Sequence, residues 1–225
     1  MSNCIAIIPA RSGSKRIPKK NIKLFYNKPL ISHVIKKAKV SNCFDKIVIS
    51  SDCDKTLKIS KKAGADILIK RPLKLSKDNV ITREVVNHAI RYLEKLNFNF
   101  EYVCLIYPTG VLLDVKNLKL GLKKIRKLKH NFVFTITEYQ YPIQRSLKMV
   151  KKKIKMNFPK YQESNSNNLD KSYHDAGQFY FGRKENFLKN KPLFSSKSFP
   201  IILKKSKAWD IDDLEDWEIA KRLFK

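Results

Sequence analysis

Short continuous apolar runs alternate along this chain with longer stretches in which apolar residues return every three or four positions. "CIAII" at 4–8 and "KIVIS" at 46–50 are apolar runs bounded by turn residues, the pattern of strands buried on both faces. Between them Leu30, Ile31, Val34, Ile35 and Ala38 share one helical face after Pro29, a residue suited to a first turn. Further strands are predicted at "ADILI", "EYVCLIY" and "FVFTI" (132–136). Further helices are predicted within 53–63, around Val85, Val86, Ala89, Ile90 and Leu93, and over 114–128. Strands alternating with helices predict an α/β fold: a doubly wound, mostly parallel, Rossmann-like sheet with ligands beyond the C-terminal ends of its strands.

From about residue 140 the rhythm breaks. The stretch "QYPIQRSLKMVKKKIKMNFPKYQESNSNNLDKSYHD" has no helical period, two prolines and a polar Ser/Asn cluster. A structureless connection this long is unusual in a compact domain, so 140–175 is expected to be an inserted, partly β arm. The chain then returns through the strand "AGQFYFG", a short helix, "FPIILKK" and a last helix whose Leu214, Trp217, Ala220 and Leu223 should pack on the sheet. One domain spanning 1–225 is predicted.

Composition narrows the classes. With 225 residues and 43% hydrophobic content the chain can bury one sizeable core. Cys4, Cys43, Cys53 and Cys104 form no CxxC pair, so free thiols in a reducing compartment are expected rather than a zinc site or disulfides. No basic leader precedes the first apolar run, and no stretch nears the roughly 20 apolar residues of a membrane span. A cytoplasmic protein with no membrane partner is expected. The formal charge of +28 attracts polyanions. Lysine is spread over the whole chain, however, as on solvated helix faces, and no RNA-binding motif accompanies it. Nucleic acid is therefore not an expected partner, and a non-enzymatic polyanion-binding protein is the alternative that the charge keeps open.

Two segments carry chemistry. "AIIPARSGSKRIPKKN" (6–21) follows the first strand, where loop N–H groups and Lys or Arg can face an anion. It is neither a Walker A loop nor a GxGxxG turn, and Pro18 prevents an immediate helix. "WDIDDLEDWE" sets Asp210 and Asp212 two residues apart, so in an extended segment both carboxylates share one side. Such a pair suits Mg2+, which commonly binds one or two carboxylates plus substrate phosphates. The competing reading makes Asp212 or Asp213 a helix N-cap, with Glu215 or Asp216 in the first turn. An anion loop and an acidic pair on one sheet edge point to nucleoside triphosphate chemistry.

With "FDKIVISSD", "KRPLKLSKD", "YPIQRSL" and "YHDAGQFYFG" between them, these segments make six ordered motifs. In them the chain resembles the acylneuraminate cytidylyltransferases, which activate nine-carbon sialic-type sugars, most closely the pseudaminic acid branch, over essentially its whole length. The resemblance implies a nucleotidyltransferase that couples an acidic nine-carbon sugar to CMP from CTP, with Mg2+ as cofactor. It implies nucleotide contacts from Arg11, Ser12, Gly13, Ser14, Lys15, Lys20, Asn21, Arg71, Asp78, Thr82 and Tyr107. It implies a metal pair in Asp210 and Asp212, with Lys15, Lys20 and Asp212 closest to the reaction. Sugar contacts are implied for Gln144, Arg145, Tyr173, His174, Asp175 and Gln178. Sialic acid synthetases carry Arg-Pro-Asn-Gly where this chain has "HDAG" (174–177), so a sugar other than N-acetylneuraminate is expected. "YPTGVLLD" (107–114) departs from both branches. The first motif also differs from that of the Kdo-activating relatives. The arm would be a dimerisation element, and the protein a homodimer.

Overall fold

The computed structural model of the protein describes residues 3–127 and 129–224. In chain order they form β1 (Cys4–Pro9), β2 (Leu24–Phe25), β3 (Lys28–Pro29), α1 (Leu30–Val40), β4 (Lys46–Ser51), α2 (Asp54–Lys62) and β5 (Ile67–Lys70). These are followed by α3 (Thr82–Lys95), β6 (Tyr102–Ile106), α4 (Val115–Lys127), β7 (Phe132–Glu138), β8 (Leu147–Val150) and β9 (Lys153–Met156). The chain closes with β10 (Tyr173–Arg183), α5 (Lys184–Leu188), β11 (Phe199–Leu203) and α6 (Leu214–Leu223). Each strand and helix expected from the apolar pattern is present; the last position of the helix expected over 114–128 lies outside the described residues. The two-residue strands β2 and β3, too short to leave a pattern, are the additions.

Seven strands form one sheet in the order β11-β7-β10-β6-β1-β4-β5. β1 pairs in parallel with both β4 and β6. Along β1, Cys4, Ala6 and Ile8 enter one apolar cluster while Ile5 and Ile7 enter another, as the two-residue repeat of a doubly covered strand requires. The first cluster takes Leu30, Val34 and Ala38 of α1, Leu118 and Leu122 of α4, and Trp217 and Ala220 of α6. The second takes Val86, Ile90 and Leu93 of α3 and Phe187 of α5. The last helix thus packs on the sheet through its buried tryptophan, which meets Phe25 edge-to-face at 5.3 Å.

β10 is the one large departure from parallel order, antiparallel to both β6 and β7. The reason is the arm. Tyr173 pairs with Glu138, so the chain leaves and re-enters the sheet at the same end and must run back. Within the arm, β8 and β9 form an isolated hairpin, flanked by short 3-10 turns at Ile143–Arg145, Pro159–Tyr161 and Ser166–Asn168. The partly β character expected there is present. Among the described residues no helix is long and apolar enough to cross a membrane, and Cys43, Cys53 and Cys104 are free thiols.

Candidate active site

Strand β1 is the switch point of the sheet, where one chain connection runs towards β4 and the other strands lie beyond β6. A cleft of about 610 Å³ opens there, over Pro9 at the end of β1 and Tyr107–Pro108 after β6. It is lined by Arg11, Ser14, Lys15, Lys20, Asn21, Arg71, Asp78, Thr82, Tyr107, Asp210 and Asp212, so most of the residues singled out for nucleotide and metal converge from five separate segments. A larger groove of about 790 Å³ runs along α3 between Lys74 and Asn190, but none of those residues lines it.

Cations dominate the cleft: Arg11, Lys15, Arg16, Lys20, Arg71 and Lys77 face only Asp78, Asp210 and Asp212. The three acids hold the loop in place. Asp78 accepts from Arg11 and Lys15, each at 2.6 Å, and these bonds hold its carboxyl below the usual range. Asp212 lies 2.8 Å from Arg16 and 3.8 Å from Lys20. Lys20 also donates to the carbonyl of Ile211, and burial pulls its ammonium pKa down against the opposing pull of Asp210 and Asp212. The loop has one fold because its charges are answered across the cleft.

The Asp210–Asp213 segment resolves the competition between metal pair and cap. Asp213 is the N-cap of α6 in a complete capping box, accepting from the Asp216 N–H at 2.9 Å while Asp216 accepts from the Asp213 N–H. Asp210 and Asp212 are left for the cleft. Burial raises the Asp210 pKa, and the neighbouring charge of Asp212 adds to it against a bond from Thr109. Two carboxylates that line one cleft side by side would be relieved of mutual repulsion by a divalent cation, so the donor set fits Mg2+. Among the described residues no cluster of three or more His, Cys, Asp or Glu could hold a metal.

The remaining residues fall outside this lining. Ser12 turns away from the cleft and donates to Asp52 through both its N–H, 2.8 Å, and its hydroxyl, 2.6 Å. Gly13 has open space where a Cβ would stand. Gln144 donates to the carbonyl of Asp170 at 3.0 Å and Arg145 to that of Ser164 at 2.7 Å, both bonds within the arm. Tyr173 and His174 lie on the first turn of β10, opposite Glu138 and Thr137, and the His174 ring sits 4.8 Å from Tyr139. Asp175 accepts from the Gly177 N–H at 3.1 Å and from the Tyr180 hydroxyl, and burial together with Asp175 drives the Tyr180 phenol far up.

A break in the β10–β7 register after Asp175 carries Gly177 at φ 60°, where a Cβ would lie 3.7 Å from Asp210. The bulge thus brings β10 beside Asp210; the Gln178 carbonyl accepts from the Tyr107 N–H at 3.0 Å, while its buried side chain donates to the Lys207 carbonyl.

Sequence reasoning missed Asp52, Arg16, Lys77 and Thr109. Asp52 had a readable signal, since it follows β4 at the strand's C-terminal end beside the switch point. Thr109 had none, because only the fold brings it to Asp210.

A cytidylyltransferase family profile matches residues 5–222. The chain belongs to the cytidylyltransferase family. It is 40% identical over 222 residues to the pseudaminic acid cytidylyltransferase of Campylobacter jejuni, covering 98% of this chain and 96% of that one. It is 31% identical to the N-acylneuraminate cytidylyltransferase of Escherichia coli O18:K1:H7, covering 96% of this chain and 51% of that longer protein. Its fold matches that of CMP:2-keto-3-deoxy-manno-octonic acid synthetase, solved in complex with CTP, with a TM-score of 0.72, 13% identity and coverage of 98% and 97% of the two chains. With that protein this cytidylyltransferase shares the fold.

Proposed function

We propose that the protein transfers CMP from CTP to the anomeric hydroxyl of pseudaminic acid, releasing pyrophosphate. The observation that carries this reading is the cation-rich cleft closed by Asp210 and Asp212, in a chain 40% identical over 98% of its length to a pseudaminic acid cytidylyltransferase. In the reaction the sugar hydroxyl attacks the α-phosphorus, the P–O bond to the β-phosphate breaks, and pyrophosphate leaves. The protein has to align the reactants and absorb charge. Lys15, Lys20, Arg11 and Arg71 line the space where a triphosphate would lie and supply that charge. Asp210 and Asp212 would hold Mg2+, which would offset phosphate charge and acidify the attacking hydroxyl. In this reading the sugar end of the site lies along β10, with Asp175 and Gln178 beside the bulge at Asp210.

In this reading the protein is a cytoplasmic homodimer, with the arm lying on a second copy. Leu147, Met149 and Ile154 of the hairpin are 59%, 74% and 66% exposed, an apolar face with nothing to cover it in one chain. Gln144 and Arg145 would then serve the partner's sugar site. The test is pyrophosphate release from CTP and Mg2+ with a panel of pseudaminic acid, N-acetylneuraminate, diacetyllegionaminate and Kdo. Pseudaminic acid should exceed N-acetylneuraminate in kcat/KM by about 10²-fold or more, because a site built for one hydrogen-bonding pattern leaves groups unpaired with another. Equal use of the two sugars would refute the sugar, and absence of CTP turnover with every sugar would refute the reaction.

A further inference from the structure

Asp52 stands behind the cleft and does not line it. It follows β4 directly, and its side chain is 9% exposed. Both of its oxygens are engaged by Ser12, Oδ1 by the backbone N–H and Oδ2 by the hydroxyl. The same carboxylate faces the Arg71 guanidinium, 3.8 Å from Nη2. Arg71 does line the cleft, yet its side chain is only 3% exposed, and among the described residues its Nε and Nη2 have no hydrogen-bond partner. A guanidinium this dry needs a nearby counter-charge to stay in place.

Asp78 holds the Arg11 and Lys15 side chains of the loop, but the backbone of its first turn has few bonds. Its own backbone bonds are the Ser14 N–H to the Ser12 carbonyl at 2.9 Å and the Lys20 N–H to the Ile17 carbonyl at 3.1 Å. Two side chains from outside the turn fix it: Asn21 donates to the Arg11 carbonyl at 2.9 Å, and Asp52 takes both donors of Ser12. Arg11, Ser14 and Lys15, which line the cleft, lie within three residues of that anchor. Burial would raise the Asp52 pKa, but the two Ser12 bonds and Arg71 hold it below the usual carboxylate value, so the charge is present at neutral pH.

We propose that Asp52 is a positioning residue for the nucleotide: it pins Ser12 and counter-charges Arg71, so that the loop and the buried guanidinium meet the triphosphate together. The inference rests on the reading of this cleft as a CTP site. At 3.8 Å Asp52 counter-charges Arg71 without hydrogen-bonding it, so the Arg71 Nε and Nη2 keep no partner among the described residues.

The experiment compares Asp52→Ala, Asp52→Asn, Asp52→Glu and Ser12→Ala with the unmutated chain, reading CTP KM, sugar KM, kcat and Tm. Asp52→Ala should lower kcat/KM for CTP by about 10²-fold, the scale of a small misplacement of reactants, with the sugar KM unchanged. Asp52→Asn, which keeps an acceptor for Ser12 but no charge for Arg71, should fall between. Asp52→Glu should recover part of the loss by restoring the charge. In the double variant Ser12→Ala with Asp52→Ala, the losses should be less than additive. An unchanged CTP KM in Asp52→Ala, or equal losses for both substrates in step with a lowered Tm, would overturn the proposal. Should Asp52→Ala fail to fold, Asp52→Asn and Asp52→Glu decide it by the same split. If the unmutated chain uses another nucleotide, the CTP reading fails while the comparison, made with that nucleotide, still judges Asp52.

Discussion

The cleft and the arm are both rich in lysine, but their charges are treated differently. In the cleft Asp78 and Asp212 bind the loop's Arg11, Lys15 and Arg16 across segments far apart in sequence. In the arm the bonds are local: Gln144 to Asp170, Arg145 to Ser164, and the β8–β9 ladder, while Met149 and Ile154 stay 74% and 66% exposed. Under the proposed function the nucleotide half of the site is assembled by one chain's own fold, and the outer sugar half needs a second copy to be complete.

The sharpest break of this comparison is Asp212→Asn. The variant keeps the shape and removes a charge from the pair, and its nearest partner, Arg16, is 63% exposed, so folding should survive. Turnover should fall by about 10²- to 10³-fold, the scale of losing a group that stabilises developing charge. Chelating divalent cations should abolish pyrophosphate release in the unmutated chain. Full Mg2+-dependent turnover in Asp212→Asn, with an unchanged circular dichroism spectrum, would remove this carboxylate from the metal pair.

A smaller effect is expected in the arm. Ile154→Asp puts a charge on the exposed hairpin face. If a second copy covers that face, the dimer dissociation constant should rise by about 10- to 100-fold, as for a residue that contributes appreciably to an interface. Sedimentation velocity reads the dimer, and sugar KM should rise while CTP KM holds. A water-facing residue would move neither quantity.

The smallest effect separates cap from metal ligand one residue away. Asp213→Ala removes the capping box of α6 and should cost about 1 kcal/mol. For a domain of this size that lowers Tm by about 2–4 °C. Turnover should stay close to that of the unmutated chain, and a collapse like that of Asp212→Asn would show that Asp213 serves the cleft as well.

Much of the frame was legible because burial on two faces writes itself into sequence. Strand β1 could be read from "CIAII", and α3 from Val85, Val86, Ala89, Ile90 and Leu93, since each needs apolar residues at its own period. The antiparallel course of β10 was not legible, because "AGQFYFG" is apolar whichever way it runs and only its pairing of Tyr173 with Glu138 fixes the direction. The cleft was half legible. Lys15, Lys20, Asp210 and Asp212 stand in segments whose composition is unusual, whereas Thr109 looks ordinary until Asp210 lies beside it.

By itself, then, the sequence determined which segments are buried, where the anion loop begins and that a group of carboxylates precedes the last helix, since these follow from local chemistry and periodicity. It left open which of those carboxylates caps the helix, as Asp212 and Asp213 are equivalent in composition. Tertiary structure decided that. Docking of α6 through Trp217 buries one face of the helix, Asp213 satisfies its free N–H groups, and Asp210 and Asp212 line the cleft, where burial raises the Asp210 pKa.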